Sequence, residues 1–185
     1  MRFARLAVFG CLGFLLLFAP AASARTLGER GLEKGDKGDD VVTLQRVLTM
    51  KGYSVGGADG VFGRQTKVAV KAFQKRRGLA KDGVVGPATI KALAGSWRVR
   101  KATYYGPGLY GNKTACGQTL RHRTRGVAHR QLPCGSKVAV YHDGLIAIFP
   151  VIDRGPHADG VHFDLTEAAA RKVGMRTTVS LRAGY

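Results

Sequence analysis

The chain has 185 residues, a formal net charge of +18, five histidines and three cysteines. That length holds one average domain or two small ones. One possible bridge is too few for a disulfide-framework miniprotein, and charge alone does not separate nucleic acid from other polyanions as the partner.

The first 24 residues read as an export signal. Arg2 and Arg5 form a basic start, Leu6 to Phe18 an apolar run, and Ala22-Ser23-Ala24 a small-x-small cleavage site. An uncleaved anchor is the weaker reading, because the uncharged stretch barely reaches spanning length and contains Pro20. A lipoprotein reading at Cys11 is weaker still, since the apolar run continues past it. Cleavage after Ala24 leaves 28 basic residues against 12 acidic ones, a balance of +16, and no stable membrane span. In an exported chain that charge points to the anionic polymers of a cell envelope rather than to nucleic acid. Cys116 and Cys134 then remain, and an even count outside the cell favours one disulfide.

From Asp39 the pattern is helical. Val41, Leu44 and Leu48 share one face of a helix that Gly52 ends, Ala69, Val70 and Phe73 share a face of a second over about 64–76, and Ile90 and Leu93 belong to a third over 87–93. A phrase repeats between them: Asp59-Gly-Val-Phe-Gly-Arg-Gln-Thr66 and Asp82-Gly-Val-Val-Gly-Pro-Ala-Thr89, each a glycine turn feeding a helix start. The order Val42, Leu44-Gln45, Leu48, Gly52-Tyr53, Asp59-Gly60-x-Phe62-Gly63-x-x-Thr66, Ala69-Val70, Phe73-Gln74, Gly78-Leu79, Asp82-Gly83-x-Val85-Gly86, Thr89 resembles the three-helix peptidoglycan-binding domain. The resemblance implies a domain over 34–94 that holds wall glycan or stem peptides in a shallow groove.

Residues 95–98 read as a joint, and strands follow over 99–185. Lys137 to Tyr141 alternates, and Asp143-Gly144 joins it to the apolar run Leu145–Ile152 as a hairpin. Thr166 caps one short helix ending near Val173, and Thr178 to Arg182 is a last strand. Many short strands with one late helix indicate a small closed barrel. The segments Ala102-Thr-Tyr-Tyr-Gly-Pro-Gly108, Lys113-Thr-Ala115-x-Gly117, Ala128-His129-x-x-Leu-Pro133-x-Gly135, Ile152-Asp-Arg-Gly-Pro156 and Asp164-Leu-x-x-Ala-Ala-Ala170-x-x-x-Gly174-Met175 resemble the double-psi β-barrel of rare lipoprotein A (RlpA)-like proteins, which is related to expansin barrels. The expected fold is thus a small three-helix bundle followed by a six-stranded double-psi β-barrel.

Active RlpA-like proteins are lytic transglycosylases, so the resemblance implies that chemistry, with Asp153 at the position of the catalytic aspartate and His129 at that of the supporting histidine. One carboxyl of raised pKa can protonate the leaving oxygen and later take the proton of the sugar's own hydroxyl. The apolar approach Ile148–Ile152 would desolvate Asp153, Arg154 would oppose that effect, and a turn-capping role for this acid is the plainer alternative. Gln118 stands where active members carry glutamate, and an amide cannot exchange a proton. Asp164, in an expansin-like His-Phe-Asp triplet, lines the groove or simply begins the helix. Tyr104, Tyr105 and Tyr110 are candidates for a sugar-stacking floor, or for packing. His157-x-Asp159-x-x-His162-x-Asp164 fits a turn-rich surface loop better than a metal site. The expectation is a monomeric, cofactor-free and metal-free peptidoglycan-cutting protein of the cell wall or periplasm. A non-catalytic expansin-like binder is second, and a metallopeptidase acting on stem peptides is third.

Overall fold

The computed structural model describes residues 24–185; the export segment, apart from Ala24, lies outside the described residues. Three helices come first: α1 (Asp39–Met50), α2 (Arg64–Arg76) and α3 (Pro87–Ala94). Their apolar positions recur at three- and four-residue spacing, so Val41, Leu44 and Leu48 of α1 close over Val70 and Phe73 of α2 and Leu93 of α3, all fully buried. Each helix starts just after a glycine, Gly38, Gly63 or Gly86, without a side-chain cap, and Pro87 occupies the first turn of α3.

The repeated phrase has a physical cause. The buried side chain of Gln45 on α1 donates to Asp59 Oδ1 (2.8 Å), the Val61 carbonyl (3.1 Å) and Thr66 Oγ1 (3.2 Å), and its Oε1 accepts from the Gly60 amide (2.9 Å). Gln74 on α2 does the same with Asp82 (2.7 Å), Val84 (2.9 Å), Thr89 (3.4 Å) and Gly83 (2.9 Å). One buried amide thus satisfies one turn, twice, and each repeated Asp, Gly and Thr is a contact of that amide.

The second half is a closed barrel with strand order β1-β5-β2-β4-β3-β6. Its strands are β1 (Arg98–Tyr105), β2 (Val127–Ala128), β3 (Lys137–His142), β4 (Leu145–Asp153), β5 (Phe163–Thr166) and β6 (Val179–Gly184). The β3–β4 hairpin turns at Asp143 and Gly144 with φ of 45° and 79°, the left-handed pair that an Asp-Gly turn provides. Parallel pairs β1–β5 and β2–β4 join segments distant in sequence. Helix α4 (Glu167–Lys172) follows β5 directly, with Thr166 Oγ1 accepting from the Ala169 amide. Among the described residues no helix is long and apolar enough to cross a membrane.

A strap ahead of α1 reaches both halves. Leu32 exchanges backbone hydrogen bonds with Val85 of the bundle, and the Leu27 carbonyl accepts from Ile146 of β4 at 2.8 Å. Arg30 fastens the strap to buried Asp40 (2.8 Å) and to Asp36. Gly28 has φ of 111°, and a Cβ there would lie 2.1 Å from the Gly144 carbonyl, so only glycine lets the strap pass.

Candidate functional site

The barrel register sets the site. Ala128, the last residue of two-residue β2, is paired with Asp153 of β4 on one side and Asp164 of β5 on the other, while Asp164 is paired with Thr103 of β1. Four neighbouring strands therefore carry Thr103, Asp164, Ala128 and Asp153 in a row, and the residue between the two acids is the smallest that still has a Cβ.

The two acids are held differently. Asp153 closes β4, half-buried, and its Oδ1 accepts from the Ala115 amide (2.8 Å) and the Arg154 amide (2.9 Å). Among the described residues no donor reaches its Oδ2 in full hydrogen-bond geometry. Asp164 accepts from Thr103 Oγ1 at 2.8 Å. Burial lifts the Asp164 pKa above the usual carboxylate range, the Thr103 hydrogen bond opposes the rise, and the charge of Asp153 adds to it.

Arg154 does not pair with the acid beside it. Its exposed guanidinium donates to the Leu132 carbonyl (3.0 Å) and the His129 carbonyl (3.3 Å), and among the described residues the ion pairs involve only Arg30 and Arg171. His129 Nδ1 accepts from the amides of Gln131 (3.1 Å) and Leu132 (3.0 Å), which assigns the proton of the neutral ring to Nε2. Burial lowers its pKa, with Arg154 and His162 acting the same way. The ring packs on Phe163 (5.0 Å between centroids) and Tyr185 (6.0 Å).

The Cys116–Cys134 disulfide, Cα atoms 5.8 Å apart, ties the turn that carries the Ala115 amide to the loop that carries Leu132. One covalent link therefore braces the donors on both Asp153 and His129. Tyr105 is half-buried and its hydroxyl has no partner in full hydrogen-bond geometry. Burial raises its pKa most, and the charges of Asp153 and Asp164, with a contact to Asp153 short of a proper hydrogen bond, raise it further. Tyr104 is 41% exposed. Gln118 is exposed; its carbonyl accepts from the Thr114 amide, and its side-chain amide has no partner among the described residues. Tyr110 instead bonds Glu167 and stacks on His122 at 3.8 Å, so packing occupies that ring. Among the described residues no three His, Cys, Asp or Glu side chains are grouped to hold a metal ion.

The sequence singles out Asp153, His129, Arg154, Asp164, Tyr104, Tyr105, Tyr110 and Gln118, of which Tyr110 is taken up by Glu167 and His122. It misses Thr103, Ala115 and Ala128, which act through register, a backbone amide and smallness. A hydroxyl in a strand motif and two alanines carry no chemical signal that a sequence displays.

The fold and the site together define a class: a helical module fused to a double-psi barrel with a carboxylate pair at its rim. Residues 37–93 match the family described as "peptidoglycan binding domain", and residues 100–185 match that described as "Lytic transglycolase". The helical domain thus matches the one family and the barrel the other, and the barrel is RlpA-like. The "Probable endolytic peptidoglycan transglycosylase RlpA" of Synechocystis sp. is 37% identical over 93 residues, covering 49% of this chain and 28% of that protein. Its namesake in Aquifex aeolicus is 42% identical over 76 residues, 40% of this chain and 34% of that protein. "N-acetylmuramoyl-L-alanine amidase CwlL" of Bacillus licheniformis is 35% identical over 134 residues, 70% of this chain and 35% of that protein. The chain thus spans about a third of the length of these curated relatives.

Proposed function

We propose that this protein works outside the cytoplasm on peptidoglycan, held to the wall by its helical domain and cutting glycan strands in the barrel as a lytic transglycosylase. The carrying observation is the Thr103–Asp164–Ala128–Asp153 row, which brings two carboxyls onto neighbouring strands, with Asp153 held by backbone amides at Oδ1.

Asp153 acts as acid and then base. Its Oδ1 is fixed by two amides, so Oδ2 is the oxygen that meets substrate. In the first step Asp153, protonated at Oδ2, donates to the oxygen joining N-acetylmuramic acid to N-acetylglucosamine as the C1–O bond breaks. In the second, the carboxylate takes the proton of the C6 hydroxyl while O6 bonds to C1, leaving a 1,6-anhydro end and consuming no water. Asp164, bonded to Thr103 in the same row, binds the sugar beside Asp153. Neutral His129 presents an Nε2–H donor to hold the sugar, Tyr104 and Tyr105 offer ring faces, and Gln118 and Arg154 bind at the exposed edge.

The second reading is a non-catalytic, expansin-like wall binder. Gln118 favours it, being an amide without partners among the described residues where active members carry an acid. Purified sacculi incubated with the whole mature protein separate the two by mass spectrometry. Anhydro-muropeptides that disappear with Asp153→Asn support the cutting reading. Retention on sacculi with no released fragments establishes the binder, and a gain of product in Gln118→Glu would trace a weak wild type to that one position.

A further inference from the structure

The domains meet around a cleft of about 1260 Å³, larger than the roughly 300–1,000 Å³ of common small-molecule pockets. We propose that this cleft is a second binding site, taking the carboxylate-bearing stem peptide of the strand held in the barrel. The proposal deepens the peptidoglycan reading and rests on it only for the choice of ligand.

Both domains build the cleft, and its charged side chains have one sign: Lys51, Lys75, Arg76 and Arg77 from the ends of α1 and α2, and Arg98 from the start of β1. The dipole of α2 accounts for cations in its last turn. Lys51, the C-cap of α1, has its ammonium partly withdrawn from water, where it donates to Ser96 Oγ (3.0 Å) and lies 5.2 Å over the Trp97 ring. Burial and the neighbouring Arg77 both push the Lys51 pKa down, and none of the five cations has an ion-pair partner among the described residues. Packing like charges over an aromatic floor with no acidic side chain beside them is unfavourable by itself and becomes favourable once a carboxylate enters.

Tyr185 fixes the kind of anion. It lines the cleft and its ring also lies 6.0 Å from that of His129, so an occupant of the cleft is next to the barrel site. A strand lying across the acid pair carries its own peptide, and that peptide's carboxylates are the negative groups covalently delivered there. A free phosphate polymer has no such reason to occupy both places.

The chain's one tryptophan, Trp97, lies in the cleft, so the unmodified mature protein reports on it directly. A synthetic stem tetrapeptide with free carboxylates should change Trp97 emission saturably, and the same peptide with its carboxylates amidated should bind at least about tenfold more weakly. Arg77→Glu with Arg98→Glu should weaken the acidic peptide by a similar factor, while Lys34→Glu with Lys81→Glu, equal in charge but remote, should not. Equal response to acidic and amidated peptides, equal loss in both double variants, or saturation by poly(glycerol phosphate) without any response to the peptide would each overturn the proposal. No step of this titration involves cutting. Peptide binding without anhydro products leaves the cleft site standing and removes the enzyme, and products without peptide binding do the reverse.

Discussion

Replacing Gln74 by leucine tests whether the repeated turn is held by its buried amide. Leucine nearly fills the same volume, so the loss is of hydrogen bonds rather than of packing. The Gly83 amide loses its acceptor at 2.9 Å, and the Val84 carbonyl loses its donor at 2.9 Å, keeping only a weak 3.4 Å contact from Thr89. Asp82 is exposed and rehydrates, so it is left out of the count. Two backbone groups at about 1–3 kcal/mol each give a loss of roughly 2–6 kcal/mol, reduced a little by the apolar gain. A helical domain of about 60 residues has only ~3–9 kcal/mol in total, so this one change should take a large share of it. Urea unfolding of the mature chain followed by far-ultraviolet circular dichroism reads the effect, and Gln45→Leu should match it because its bonds are the same set. A loss below about 0.5 kcal/mol in both variants would show that water or backbone rearrangement replaces the amide, and the account of the repeat would fail.

Three further outcomes follow from the barrel and its junction. Because burial raises the Asp164 pKa, the native state binds that proton more tightly than the unfolded chain, and stability falls as pH rises through the window above the ordinary aspartate value. Asp164→Asn should therefore be more stable than wild type at neutral pH, with the gain vanishing in acid, as thermal unfolding at several pH values would show. Removing the disulfide with Cys116→Ser and Cys134→Ser opens a loop of 18 residues and should lower stability by about 3 kcal/mol. Anhydro-muropeptide yield should fall with it, since the donors on Asp153 and His129 lose their brace. Gly184→Ala places a methyl 2.5 Å from Trp97 Cδ1, so tryptophan emission should shift and the two domains should unfold less cooperatively.

The helices were legible because each shows three- or four-residue apolar spacing between glycine turns, and the β3–β4 hairpin because Asp-Gly stands between two apolar runs. Strand β2 was not legible: two residues have no period, and its place between β4 and β5 is set by tertiary pairing. The same pairing puts Asp164 on β5, bonded to Thr103, where local pattern allowed a helix-start role. Arg154 next to Asp153 reads as a partner in sequence. In space its guanidinium turns to the carbonyls of His129 and Leu132, because the loop braced at Cys134 offers them within reach. The Gln45 and Gln74 networks were visible only as repeated letters until the atoms they join were placed together.

The strap and Trp97 bear on how binding and cutting cooperate. Leu27, Leu32 and Trp97 share one apolar cluster with Phe62, Phe73 and Leu93 of the bundle and with Ala139 and Ile146 of the barrel. Two domains joined by a flexible tether would raise only the local concentration of substrate, in proportion to tether length. Two domains that share a core instead present a bound strand to the barrel at one angle and distance, and part of the orientational entropy of the reaction is lost on binding rather than at the barrier. Under the proposed cutting reaction, Gly28, which lets the strap pass beneath the β3–β4 turn, and Gly184, which makes room for the Trp97 indole, keep that geometry without touching the glycan.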